Sequence, residues 1–322
     1  MTQPKFVADN LILVKLEPTY GVDAAPTAAD ALLVNQLTYP QMMGEVLDRN
    51  LVRPFMGGSS QLVVGEHYAF GFNCEVAGTG VASVAPGYGA AIQSCRNALT
   101  SVGATPGPAS HTYTPISAFG SGQTSVTIHY YIGGVRHVIT GFRGSHSFNL
   151  TNNAFGVHTF QGMGIYAGPT DTATPTFSYS NYNRQANPQP VTLGNTLNIN
   201  IAGFSAAVLQ NFQFTQSNEA IYNQLPGGVK QVLITGGRST FEAVIQCPSI
   251  AQRDYWSAAL SDTTNAVTIT QGNASGFRMA FSAPAGKTLV PSYSDDRGKL
   301  MLTVPGILNP VNGNDEYAIR FD

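Results

Sequence analysis

Residues 229–260, VKQVLITGGRSTFEAVIQCPSIAQRDYWSAAL, are a second version of a stretch that begins near residue 57. Leu233, Ile234, Gly236 and Phe241 each stand 171 positions after Leu62, Val63, Gly65 and Phe70. Both versions read as strand, glycine-containing turn, strand. Each follows a glycine pair, Gly57-Gly58 or Gly227-Gly228, and leads to a short helix-like segment ending in Ala98-Leu99 or Ala259-Leu260. The correspondence resumes downstream, where SVTI at 125–128 matches AVTI at 266–269, and Thr159 and Gly162 match Thr303 and Gly306. A period this long is not that of a solenoid and implies two tandem copies of one domain. The spacing drops from 171 to 141 between Val76 and Val126. That drop places a loop-like insertion at about 77–124 of the first copy.

A chain of 322 residues is long enough for two domains, each with a core of its own. The predicted division is an N-terminal arm over 1–30, a first copy over 31–168, a joint over 169–190 rich in Pro, Ser, Thr and Asn, and a second copy over 191–322. The arm holds an apolar run, LILVKL, and then Pro18, Gly21 and Pro26, which forbid long regular structure. It is expected to lie against something else.

Alternation marks the strands. In YAFGFNCEV, Phe70, Phe72, Cys74 and Val76 share one face while Gly71, Asn73 and Glu75 share the other. In the second copy Phe241, Ala243, Ile245 and Cys247 oppose Glu242, Val244 and Gln246. Glycine and asparagine turns then divide residues 125–167 into three or four strands, so the expected fold is mainly β. Segments 86–99 and 248–260 read as short helices, the latter capped by Ser249 with Trp256 and Leu260 as a packing stripe. Residues 40–60 read as a loop in which Met42, Met43, Leu51, Phe55 and Met56 stand beside Asp48, Arg49 and Arg53. That mixture suits a protein contact surface, with a loop folded back on its own core as the plainer alternative.

Charged residues make up only 11% of the chain, which leaves much uncharged surface for a partner to cover. Net charge is −2 with no lysine or arginine block, which argues against tight electrostatic binding of nucleic acid. Cys74, Cys95 and Cys247 form no C-x-x-C motif and are expected to be reduced and mostly buried. The first residues carry no signal-peptide pattern and no apolar run reaches about 18 residues. A cytosol-like compartment is expected.

Chemistry is sparse. All six histidines fall in the first copy, and His129 and His137 could meet across a hairpin, where a strand-surface pair is a far better reading than a metal site. Motifs for a P-loop, a nucleophile elbow, a zinc protease or a calcium loop are absent. Asp295-Asp296 and Asp315-Glu316 stand in turn contexts. No catalytic residue, cofactor site or metal site is predicted, and the chain reads as a non-enzyme.

With Lys15, Glu17, Thr19, Tyr20, Gly21, Asp23, Pro26 and Thr27 in the arm, followed by DRNLVRPFMGG and HYAFGFNCEVAG, the chain resembles the major tail (tail tube) proteins of bacteriophages with long noncontractile tails. The resemblance implies a β-sandwich or half-barrel with a short flanking α-helix in each copy, and a ring of six such domains whose inner strands close into one barrel. Duplication departs from that pattern. With two domains per chain, three chains complete a pseudo-sixfold ring, stacked helically into a tube. The implied partners are further copies of the chain, tail terminator, tail-tip and tape-measure proteins, and phage DNA passing through without sequence-specific binding. The implied location is the virion tail, assembled in the host cytoplasm, with no membrane association. On this reading Arg49, Arg53, Phe55, Met56 and Tyr20 are candidates for contacts between rings, and Asn73, Glu75 and Glu242 for the wall of the channel. The alternative is a carbohydrate-binding or adhesive β-sandwich on a virion surface, which would present exposed aromatic platforms on a self-contained monomer.

Overall fold

A computed structural model describes residues 4–49, 51–103, 109–117, 122–176, 182 and 185–322. The first half carries β1 (Asn10–Leu16), β2 (Gln36–Asp48), β3 (Gln61–Glu75), α1 (Gly89–Ser94), β4 (Asn97–Val102), β5 (Ser110–Pro115), β6 (Val126–Ile132), β7 (Val135–Thr151) and β8 (Val157–Asp171). The second carries β9 (Thr196–Asn200), β10 (Leu209–Asn223), β11 (Gln231–Gln246), α2 (Tyr255–Leu260), β12 (Asn265–Gln271), β13 (Met279–Thr288), β14 (Ser292–Asp296), β15 (Lys299–Asn309) and β16 (Ala318–Phe321). The fold is mainly β, as the alternation predicts, and sandwich-like, as the resemblance implies, and all strand pairs among the described residues are antiparallel.

The two halves share one order of pairing. In the first it runs β1-β6-β7-β8-β3-β2, and in the second β9-β12-β13-β15-β11-β10. Two long strands of the first half are each broken in the second. The outer half of β7 corresponds to β14, because Ser147 faces Thr159 as Ser292 faces Thr303. The far end of β8 corresponds to β16, which pairs with β13 after an intervening loop. Along the β7–β8 ladder Gly144 faces Gly162, and a Cβ on Gly144 would lie 2.0 Å from the Gln161 carbonyl oxygen. Gly306, the counterpart of Gly162, would put its Cβ 2.2 Å from the Phe241 ring. Only glycine permits either approach.

The halves meet along two seams. At one, residues 146–151 of β7 pair with 211–216 of β10. At the other, β16 pairs with β5, and β5 with β4, so a hairpin from the first half's insertion extends the ladder of the second. Where the repeat suggests a core for each half, one hydrophobic cluster runs through both. The β7–β10 seam brings Phe148 and Phe214 to 5.3 Å, and Phe281 packs on both.

Several local expectations need correcting. Residues 10–16 of the expected arm form β1, with Leu11–Val14 buried against β6 and the core. Burying such side chains is worth about 1.5–3 kcal/mol each, so this strand belongs to the domain it covers. Residues 40–48 of the expected loop at 40–60 are strand, since β2 runs through Pro40 by bulging between Thr38 and Gln41. Helix α1 stops at Ser94, and Ala98 and Leu99 lie in β4. Helix α2 is capped by Asp254, whose carboxylate accepts from the amides of Trp256 and Ser257, while Ser249 closes the preceding turn. Leu260 is exposed and Trp256 packs on Tyr293 instead, their rings 5.2 Å apart. Part of the joint expected at 169–190 lies outside the described residues; its first three residues belong to β8.

Candidate functional site

Because facing residues of antiparallel strands project to the same side, the ladders turn the polar face of β3 into a surface spanning both halves. Asn73 faces Gln36 on β2 and Thr159 on β8. Thr159 faces Ser147, Ser147 faces Thr215, and Thr215 faces Thr240. The row Gln36–Asn73–Thr159–Ser147–Thr215–Thr240 thus crosses six strands with hydroxyls and amides alone, ending against Ile307 on β15. A second row runs Glu75–Val157–Asn149–Gln213–Glu242–Pro305. The structure therefore brings Asn73, Glu75 and Glu242 onto one face, and the two glutamates are the only charges in these rows. Cys74, Phe72 and Phe70 point the other way into the core, where burial pushes the Cys74 thiol up. A hollow of about 310 Å3 on this face is lined by Ser145, Ser147, Thr159, Gln161 and Thr215. His146 and Gln216 also border it, the former buried and bonded to His158 behind the wall, and the exposed groups are hydroxyls and amides that can hydrogen bond water.

Sequence reasoning named only three of these positions. The alternation in SHSFNLT, with Ser145, Ser147, Asn149 and Thr151 on one face, was the signal for the rest. It becomes readable once β7 is known to pair with β8 and β10.

A knot of polar groups lies where the β10–β11 hairpin crosses the first half. Arg143, 1% exposed, donates to the carbonyls of Thr124 (3.2 Å), Val232 (2.7 Å) and Gln123, and its guanidinium stands 4.4 Å from the centre of the Tyr20 ring. Tyr20 accepts from the Val232 amide at 2.5 Å, and burial raises its phenol above the usual range. Gln123 bonds both the amide and the carbonyl of Ile234. Glu17 accepts from the amides of Gly21 and Gly141 and from the hydroxyls of Ser125 and Thr127. Gly141 has φ +60 and would clash with the Tyr20 hydroxyl if it carried a Cβ, 2.7 Å away. Tyr20, expected at contacts between rings, thus has an intrachain task.

The other contact candidates sit at or near the tip of the β2–β3 hairpin. Beyond His67 this hairpin leaves the main sheet, since β8 pairs only with 67–75. Phe55 and Met56 are exposed, with Met42, Met43, Val46, Leu47, Leu51 and Leu62 exposed nearby. Arg49 is exposed, and Arg53 donates to the Gly58 carbonyl and the Ser59 hydroxyl.

His129 and His137 do not meet. His129 bonds both carboxylate oxygens of Asp23 at 3.0 Å, and His137 bonds the Tyr68 hydroxyl at 3.1 Å. Burial lowers the pKa of both rings, Asp23 partly opposing it at His129. The pair that does meet is His146 Nε2 and His158 Nδ1, 2.8 Å apart and fully buried. Among the described residues no three His, Cys, Asp or Glu side chains are placed to hold a metal, and no helix is long and apolar enough to cross a membrane. All three cysteines are free, Cys74 and Cys95 buried and Cys247 half-buried.

No protein-family model matches the chain, and no curated protein matches it.

Proposed function

We propose that this chain is the structural subunit of a phage tail tube, in which three copies close a pseudo-sixfold ring and stacked rings conduct DNA from capsid to host. The observation that carries this reading is the polar row across six strands of a sheet in which β2 and β14 each keep one side unpaired among the described residues. Open sheet edges invite pairing with further chains, and a closed ring removes them. A channel wall of neutral hydroxyls and amides with occasional carboxylates offers phosphate nothing to hold. The units of the ring would be the two halves of the chain, the first counted with its covering strand β1, and the apolar segment of the β2–β3 tip beyond Asp48 would be directed at the adjoining ring. Terminator, tail-tip and tape-measure proteins would meet the two ends of the tube, in virions put together in the host cytoplasm.

The deciding experiment is electron microscopy and native mass measurement of concentrated protein. Rings of three chains and filaments built from them are the expected result. Rings of six chains would remove the pseudo-sixfold account, and a stable monomer at every concentration would remove the tube.

A lysine in place of Glu75 tests the channel face. Three added cations per ring, repeated along the tube, would each give DNA a phosphate contact. Tails should look normal, while DNA release from triggered virions slows by about tenfold or more near 50 mM salt and by much less near 200 mM. Unchanged release, with Glu75 mapped to the channel, would refute the low-friction wall.

A further inference from the structure

The chain contains a template for its own association. Inside one chain, residues 146–151 of β7 pair with 211–216 of β10, and the β10–β11 hairpin then lies over the first half. The counterpart of that β7 segment is β14, and the counterpart of β10 is β2, and among the described residues both have the corresponding side open. We infer that β14 of one copy pairs antiparallel with β2 of the next in the register of the β7–β10 seam, and that the β2–β3 hairpin seats on the neighbour's second half as β10–β11 seats on the first. This rests on the ring proposed above and names its contact surface.

Two substitutions between the template and the open edges support the match. At the seam, Phe148 and Phe214 are buried at 1% and 0% exposure. Their counterparts are Tyr293, facing Leu302 as Phe148 faces His158, and Tyr39, in the bulge opposite Phe70 as Phe214 is opposite Phe241. These tyrosines are 59% and 55% exposed in the single chain. Aromatic side chains exposed on an open edge, at positions that are buried where the same edge is filled, are what an unmade contact leaves behind. On the hairpin, Tyr222 stacks on His67 with ring centres 4.6 Å apart. The counterpart of Tyr222, which faces Val232, is Asp48, which faces Gln61; the counterpart of His67 is Arg238. Both are exposed. One stacked pair within the chain is thus replaced by opposite charges between chains, which fixes partner and direction.

The same register aligns Thr38 with Ser294, as Gln213 faces Asn149. The doubly substituted Thr38→Cys, Ser294→Cys protein, oxidised during assembly, should give a covalent ladder on a non-reducing gel, while Thr38→Cys alone should not. Asp48→Arg or Arg238→Asp should each raise the concentration needed for assembly by about fivefold or more, and the two together should restore it to within about twofold. Circular dichroism checks that the exposed substitutions leave the fold intact. Rings that form without the ladder and without rescue by the charge swap would overturn this contact while leaving the tube reading standing. A parent protein that never assembles would remove both.

Discussion

Arg143→Met is expected to destabilise the chain by about 3–5 kcal/mol, because a buried charge network loses its centre. The guanidinium reaches the carbonyls of Gln123 and Thr124 on the first half and of Val232 on the second, and stacks over Tyr20. Methionine fills part of the volume but leaves those carbonyls without this donor, each costing about 1–3 kcal/mol where water cannot enter. The melting temperature should fall by roughly 5–10 °C. Arg143→Lys should fall between parent and methionine variant, since lysine keeps the charge and loses the planar fork. At the corresponding ladder position of the second half, Lys287 instead donates to the carbonyls of Ala258, Ala259 and Ser261 at the end of α2. A methionine variant that melts within about a degree of the parent would show that this knot does not hold the halves together.

The second large effect is acid sensitivity. His146 and His158 lie among Tyr88, Phe148, Phe160, Phe214 and Phe321. Their outer nitrogens, Nδ1 of His146 and Nε2 of His158, have no hydrogen-bond partner among the described residues. Burial lowers the His146 pKa to about 3, and burial together with the neighbouring ring holds His158 well below the usual histidine value. The folded state therefore keeps both rings neutral, and the unfolded chain takes up their protons first. Stability is full above the unfolded value of about 6.5 and falls as pH drops below it, until the pH reaches the folded value. The loss accumulates at about 1.4 kcal/mol per pH unit for each ring, or roughly 5–6 kcal/mol for the pair near pH 4.5. Replacing both histidines by leucine should move the midpoint of acid unfolding down by about one pH unit. An acid limb identical to the parent's would assign the transition to other groups.

Strands were legible wherever one face is apolar: Phe70, Phe72 and Cys74 announce β3, and their counterparts announce β11. The repeat was legible for the same reason. Helix ends were not, because segments of six residues are set by tertiary packing more than by their own caps. Ala98 and Leu99 suit a helix, yet β5 offers them a ladder. Residues 40–60 read as a loop because apolar and charged side chains mix there without a period, yet 40–48 are strand, with Pro40 in a bulge where its missing amide costs little. The His146–His158 contact was hidden because it is diagonal. His146 faces Phe160, and His158 faces Phe148, so only the β7–β8 register reveals that the rings touch. Only Asn73, Glu75 and Glu242 of the polar face were visible for a similar reason, since a strand shows its own alternation and cannot show which strands lie beside it.

The outer seam sets an order of events for folding. Tyr317, just before β16, donates to Asn97 at the start of β4, and Glu316 pairs with Arg96, contacts 220 residues apart along the chain. Such a loop is closed late, because its entropy must be lost before any contact across it is gained. The β4–β5 hairpin and α1, made early, must therefore wait for a strand made more than a hundred residues after the first half is otherwise complete. During that wait the β5 edge is open to any other strand. Recovery of native protein should be governed less by how fast either half collapses than by how soon the right edge strand arrives, which makes the duplicated chain a single kinetic unit.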